Sequence, residues 1–175
     1  MGKPFGNGMP LAAVVTTSAV AAAFANGMEY FNTFGGNPVA CAAGLAVLAT
    51  IEAESLRPHA TRVGAHIKER LAALAEREAL IGDVRGSGLF IGIEFVRDRV
   101  TREVAPAETS LICSLLKEKH AILTSSDGPY HNVLVLKPPM CFSVENADTF
   151  VDALADVLRT ADFGAIDPAA ELTPT

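Results

Sequence analysis

Lys3 lies in the run Met1-Gly2-Lys3-Pro4-Phe5-Gly6-Asn7-Gly8-Met9-Pro10, whose glycines, prolines and asparagine shape a loop. A lysine that forms a Schiff base must be neutral part of the time, which a desolvated, shaped pocket favours. A solvated lysine beside ordinary turns would leave the same local sequence. Thr33 follows 30 residues later (33 − 3), inside Asn32-Thr33-Phe34-Gly35-Gly36-Asn37-Pro38. A hydroxyl, two glycines and a helix start, with its unpaired N–H groups, make an anion site. A plain capped loop has the same composition, so at this level both segments keep two readings.

Other chemistry-bearing residues carry weaker signals. Lys137, in Lys137-Pro138-Pro139, ends a strand and is a candidate to face a ligand. Arg85-Gly86-Ser87-Gly88 precedes a strand and opens no helix, so it reads as a bulge or bend and not as a dinucleotide fingerprint. His59, His66, His120 and His131 are widely spaced, and none has a carboxylate or cysteine at metal-ligand spacing, so no metal site is expected. Cys41, Cys113 and Cys141, an odd number without Cys-x-x-Cys, fit neither a disulfide framework nor zinc and suit reduced thiols in a cytoplasmic protein. With 14 Lys plus Arg against 20 Asp plus Glu in 175 residues, the net charge of −6 disfavours nucleic acid as a partner. The apolar stretch from Leu11 to Ala25 is interrupted by Thr16, Thr17 and Ser18 and is too short to cross a bilayer, so no membrane association is expected.

These residues need elements to hold them. Leu11 to Thr17 reads as a buried strand, with Ser18 capping a helix over Ala19 to Ala25 that Asn26-Gly27 stops. Asn37-Pro38 starts a helix to about Ala53, in which Gly44 and the alanines imply close packing. A longer helix spans about Pro58 to Arg77, with Val63, Ile67, Leu71 and Leu74 on one face. Beyond Leu80 come a bent strand (Ile81 to Arg85 and Gly88 to Phe95, broken by Gly86-Ser87-Gly88), a helix from Pro106 to His120 and a short strand from Ala121 to Ser125. A turn at Ser126 to Pro129, a strand from Asn132 to Lys137 and a helix from Glu145 to Thr160, capped by Ser143, follow. The expected organisation is the trailing part of an α/β domain over residues 1–80, a small α+β domain over 81–162, and a disordered tail over 163–175. A chain that opens in a shaped loop also suggests a missing N-terminal part.

Taken together, the segments Gly2-Lys3-Pro4-Phe5-Gly6-Asn7-Gly8, Tyr30 to Pro38 and Gly82-Asp83-Val84-Arg85-Gly86-Ser87-Gly88-Leu89 resemble the class III aminotransferase family of pyridoxal-phosphate enzymes. The resemblance runs from Gly2 to about Arg159. It implies the end of a fold type I large domain followed by a small C-terminal α+β domain. It also implies that Lys3 holds pyridoxal 5'-phosphate as a Schiff base and that Thr33 binds the cofactor phosphate of the neighbouring subunit in a homodimer. Within the family, Ser126 to Leu134 and Lys137 to Phe142 are similar to the branch of phospho-lyases acting on phosphoethanolamine or phosphohydroxylysine. Family transaminases that grip an α-carboxylate carry arginine three places before the first of the paired prolines, and that position is Val135 here. Loss of the arginine removes a bidentate carboxylate partner and suits a small amine with no carboxylate at the reacting carbon. The lyases carry lysine at position 135 as well as at 137, so Val135 departs from that branch too and leaves ω-amine transamination open. Lys137 is the candidate for the substrate phosphate.

The family's large domain also supplies a glycine-rich phosphate loop, a ring-stacking aromatic and an aspartate on the pyridine nitrogen. This sequence contains none of the three, so the chain alone is expected to be inactive. A reading from another class, a non-catalytic oligomerisation module with a vestigial lysine, is opposed by the intact Lys3 and Thr33 motifs.

Overall fold

The computed structural model describes residues 1–166, with the side chains of Lys3 and Pro4 outside that description. The chain divides into two compact units, Met1–Leu56 and the part beginning at Arg57. The division expected near Leu80 therefore falls earlier. The long helix is the reason: α3 (Leu56–Ala75) buries Val63, Ile67, Leu71 and Leu74 in the core of the second unit.

The first unit is held by turns and caps. A 3-10 turn over Lys3–Gly6 is followed by a reversal that brings Met1 and Ala13 together: the Met1 α-ammonium donates to the Ala13 carbonyl at 2.8 Å and the Ala13 N–H to the Met1 carbonyl at 3.0 Å. Leu11 to Thr17 is extended but forms no ladder, because no strand among the described residues lies beside it, and Val14 and Val15 are 91% and 82% exposed. α1 (Ser18–Phe24) begins one residue earlier than expected, with Thr17 and not Ser18 in the cap position. α2 (Pro38–Ala53) has the expected limits, with Pro38 at its start and Asn37 Oδ1 accepting the Ala40 N–H at 2.9 Å. Gly44 is the close approach that its neighbours implied: a Cβ there would lie 2.5 Å from Leu11 Cδ2.

The second unit has a true core. β1 (Ile81–Ser87) and β2 (Phe90–Asp98) are not one bent strand but an antiparallel hairpin, with Ser87 opposite Phe90. Gly88, at φ 54, occupies the first central position of the two-residue turn, where positive φ matches the twist of the strands and favours glycine. That turn packs under α3 so closely that a Cβ on Gly64 would lie 2.0 Å from the Gly88 carbonyl oxygen. A short β3 (Glu103–Val104) also pairs with β2, and α4 (Pro106–His120) has the expected limits. β4 (Ser125–Asp127) pairs where a turn was expected, because its residues lie in register with β5 (Val133–Leu136). α5 (Val144–Thr160) starts with a capping box in which the reciprocal partner of Ser143 is Asn146, not Glu145.

The sheet order β1-β2-β5-β4 is antiparallel throughout. Ile91, Ile93, Phe95 and Leu134 point into one cluster with α3 (Val63, Ile67, Leu71), α4 (Ile112, Leu116) and α5 (Phe150, Leu154, Val157). Since strand side chains alternate, residues 83, 85, 87, 90, 92, 94, 133 and 135 point to the opposite face. Phe163–Ala165, expected within a disordered tail, forms a 3-10 turn, and Phe163 packs against the core. Residues 167–175 of that tail lie outside the described residues. Among the described residues no single helix is long and apolar enough to cross a membrane.

Candidate active site

In the first unit, Lys3 occupies the 3-10 turn, which the Phe5 N–H closes onto the Gly2 carbonyl at 2.9 Å. The Thr33 loop is organised by two asparagines. Asn32 Oδ1 accepts from the Phe34 and Gly35 N–H groups at 3.2 and 3.1 Å, and Asn37 Nδ2 donates to the Phe34 carbonyl at 2.8 Å. Several of the N–H groups that an anion could use are thus already engaged, and the loop presents the exposed Thr33 hydroxyl. An amine and a hydroxyl are the residue types that a cofactor with an aldehyde and a phosphate calls for.

In the second unit, the sheet face away from the helices collects the polar residues. Register places Arg85, Gly92, Val135 and Ser125 in one row across four strands, with Asp83, Glu94, Val133 and Asp127 in the next. Arg85 Nη1 donates to both Asp83 Oδ2 (2.7 Å) and Glu94 Oε2 (2.5 Å), and these bonds, that to Asp83 first, push its pKa further up. Lys137, just past the end of β5, is exposed and places its Nζ 5.9 Å from the centroid of the Phe90 ring. Val135 and Lys137 thus share one face, as two residues separated by one in a strand must. They also border an open, mainly apolar groove of about 730 Å³ that reaches Phe142 and Phe150.

The pairing of Arg85 with Gly92 across the sheet is what sequence reasoning missed. Reading Gly86-Ser87-Gly88 as a bend kept β1 and β2 in one strand. Two alternating strands around a glycine turn read as a hairpin would have set Arg85 opposite Gly92.

The aminotransferase class-III family profile matches residues 1–158. The chain belongs to the class III aminotransferase family. This pyridoxal-phosphate family includes the Caenorhabditis elegans protein named ethanolamine-phosphate phospho-lyase homolog 1, which is 44% identical over 160 residues, 90% of this chain and 34% of that one. A Drosophila melanogaster protein named alanine–glyoxylate aminotransferase 2-like is 50% identical over 150 residues, 85% of this chain and 30% of the other. Among solved structures, an Arthrobacter phospholyase in complex with phosphoethanolamine superposes with a TM-score of 0.84 at 41% identity, covering 93% of this chain and 38% of that one. A Pseudomonas amine transaminase in its PLP-bound internal aldimine form gives 0.69 at 36% identity, over 77% of this chain and 30% of that one. The class III chain described here thus spans about a third of the length of the curated relatives it matches.

Proposed function

We propose that this class III aminotransferase-family protein is a phospho-lyase, releasing phosphate and ammonia from an O-phosphorylated primary amine such as phosphoethanolamine. The observation that carries the reading is the likeness to the phosphoethanolamine-bound Arthrobacter phospholyase, at a TM-score of 0.84. Beside it stands Val135, which departs from the lysine of that branch but also removes the grip on an α-carboxylate. Val135 sits on the sheet face away from the helices, between Gly92 and Ser125, where family transaminases present a carboxylate-binding arginine. A valine offers no donor to an α-carboxylate, and binding an unpartnered carboxylate against it costs more than binding an amine that lacks one.

Pyridoxal phosphate, when bound, supplies an electron sink for the carbon that bears the substrate amine. Lys3 would hold the cofactor and, as a free amine, would take the proton from that carbon as general base. With the cofactor bound, the Thr33 hydroxyl would donate to its phosphate from a neighbouring subunit, which would make a homodimer the working unit. Lys137 attracts the substrate phosphate, and its departure from the adjacent carbon, followed by hydrolysis, gives aldehyde and ammonia. Phosphate release from phosphoethanolamine by the full-chain holoenzyme with no amino acceptor tests the proposal; no release under those conditions overturns it.

Ordinary transamination is the second reading, favoured by the 50% identity to the alanine–glyoxylate aminotransferase 2-like relative. It predicts amine consumption only when an oxo-acid is supplied. The deciding difference is the fate of the bond on the neighbouring carbon, which Lys3 serves equally in either case.

A further inference from the structure

The face that carries Val135 has a second feature. On β2 its residues are Phe90, Gly92 and Glu94, so a bare backbone patch lies between an aromatic ring and a carboxylate. Two long cations lean over this strand from either side. Lys137, from the β5 side, lies over Phe90, and Arg85, from β1, reaches Glu94. At Gly92 the nearest neighbour of an added Cβ would be Val133 Cγ1, at 3.1 Å, which leaves the outward direction open.

The way Arg85 is tied distinguishes it from the other bridged arginines. Arg97 spends its Nε/Nη2 edge on Glu108, at 2.6 and 3.1 Å. Arg99 spends the same edge on carbonyls of residues 75, 78 and 79. Arg70 uses Nη1 and Nη2 on Asp148 and Asp152. Arg85 is anchored through Nη1 alone, and among the described residues nothing is bonded to its Nε/Nη2 edge. That edge is the one that binds an oxyanion side-on through two parallel N–H groups. Two carboxylates hold the guanidinium in place, so little side-chain entropy remains to be lost when an anion arrives.

We infer that Arg85 and Lys137, across the bare patch at Gly92, form the site for the dianionic phosphate of the substrate, with Arg85 supplying the bidentate contact that Val135 does not. This rests on the phospho-lyase reading and adds a substrate-binding residue to it. Asp83 and Glu94 neutralise part of the charge on Arg85, so neither cation is sufficient alone.

The test compares the wild-type holoenzyme with Arg85→Gln, Arg85→Lys and Gly92→Ala. It records kcat and KM for phosphoethanolamine together with the Kd for inorganic phosphate from calorimetry. Arg85→Gln raises KM and the phosphate Kd by about 10- to 100-fold, the range for a lost charge-assisted hydrogen bond, and kcat changes far less. Arg85→Lys, which keeps the charge and loses the fork, falls between. Gly92→Ala fills the patch while leaving every charge in place, and it weakens phosphate binding too; it decides the matter where Arg85→Gln fails to fold. Unchanged phosphate Kd in Arg85→Gln, or in Gly92→Ala where that variant decides, overturns the inference. If the wild type releases no phosphate, the phospho-lyase reading fails by itself. The phosphate Kd series then still decides whether Arg85 forms an anion site.

Discussion

The two units of the chain are both rich in apolar sequence but put it to different ends. From Arg57 on, twenty side chains of α3, α4, α5 and the sheet close into one cluster, and Ile93, Phe95, Ile112, Leu116 and Leu154 are fully buried. In Met1–Leu56, Val14, Val15, Phe24, Met28, Tyr30, Phe31, Phe34 and Leu45 are exposed, and among the described residues the only buried hydrophobic side chain is that of Ala40. Burial is what converts apolar composition into stability. The second unit therefore carries its own fold, whereas the first owes its shape to caps, turns and the Gly44 contact.

Mutations can break that contrast. The largest effects belong at tightly filled positions of the second unit. Leu71→Ala is expected to cost about 2–5 kcal/mol through lost burial and the cavity left behind, and Gly64→Ala comparably, because its methyl meets the Gly88 carbonyl. Val15→Ala, at an 82% exposed site, stays within about 0.5 kcal/mol. Denaturant titration followed by amide exchange in each unit checks all three. Equal losses at Leu71 and Val15 would remove the distinction.

A smaller effect follows at Arg97. Its bidentate bridge to Glu108, a residue only 7% exposed, ties β2 to the first turn of α4. Arg97→Ala leaves a buried carboxylate unpaired and costs about 3 kcal/mol, whereas the double variant Arg97→Ala, Glu108→Ala recovers part of the loss. Ser143→Ala removes an N-cap and costs about 1 kcal/mol, measured by thermal unfolding.

The smallest effect is a pH dependence. The carboxyl of Asp148 is held below its usual value by the His66 bond first and the Arg70 bond second, each 2.6 Å long. A depressed carboxyl contributes stability that is present above its unfolded pKa, about 3.9, and is lost as pH falls through the folded value. Asp148→Asn should flatten the acid limb of the stability profile without altering the phosphate affinity of the sheet face. A profile unchanged by the substitution would mean that the α3–α5 bridge carries no linkage.

Much of the second unit was legible in sequence because its signals are local and redundant. The faces of α3 and α5 repeat at helical spacing, Pro106 marks a helix start, and Ser143 is a cap. The first strand was misjudged for a reason that is not local. Leu11 to Thr17 has the composition of a strand, but a strand exists only where another backbone accepts its ladder. The hairpin at Gly88 was missed because a glycine cluster marks a bend and a reversal equally well. Lys3, Thr33 and Lys137 stood out through motif spacing. Arg85 could not, since its open edge depends on which of its five N–H groups Asp83 and Glu94 occupy.

The central claim concerns the bond next to the reacting carbon, so the most direct measurement is a product balance. Full-chain holoenzyme is incubated with phosphoethanolamine and no oxo-acid, and phosphate, ammonia and acetaldehyde are followed together. Equal amounts of all three, rising from the first turnovers, are predicted. Consumption of the amine that begins only when an oxo-acid is added, with the phosphate ester intact in the product, would contradict the account.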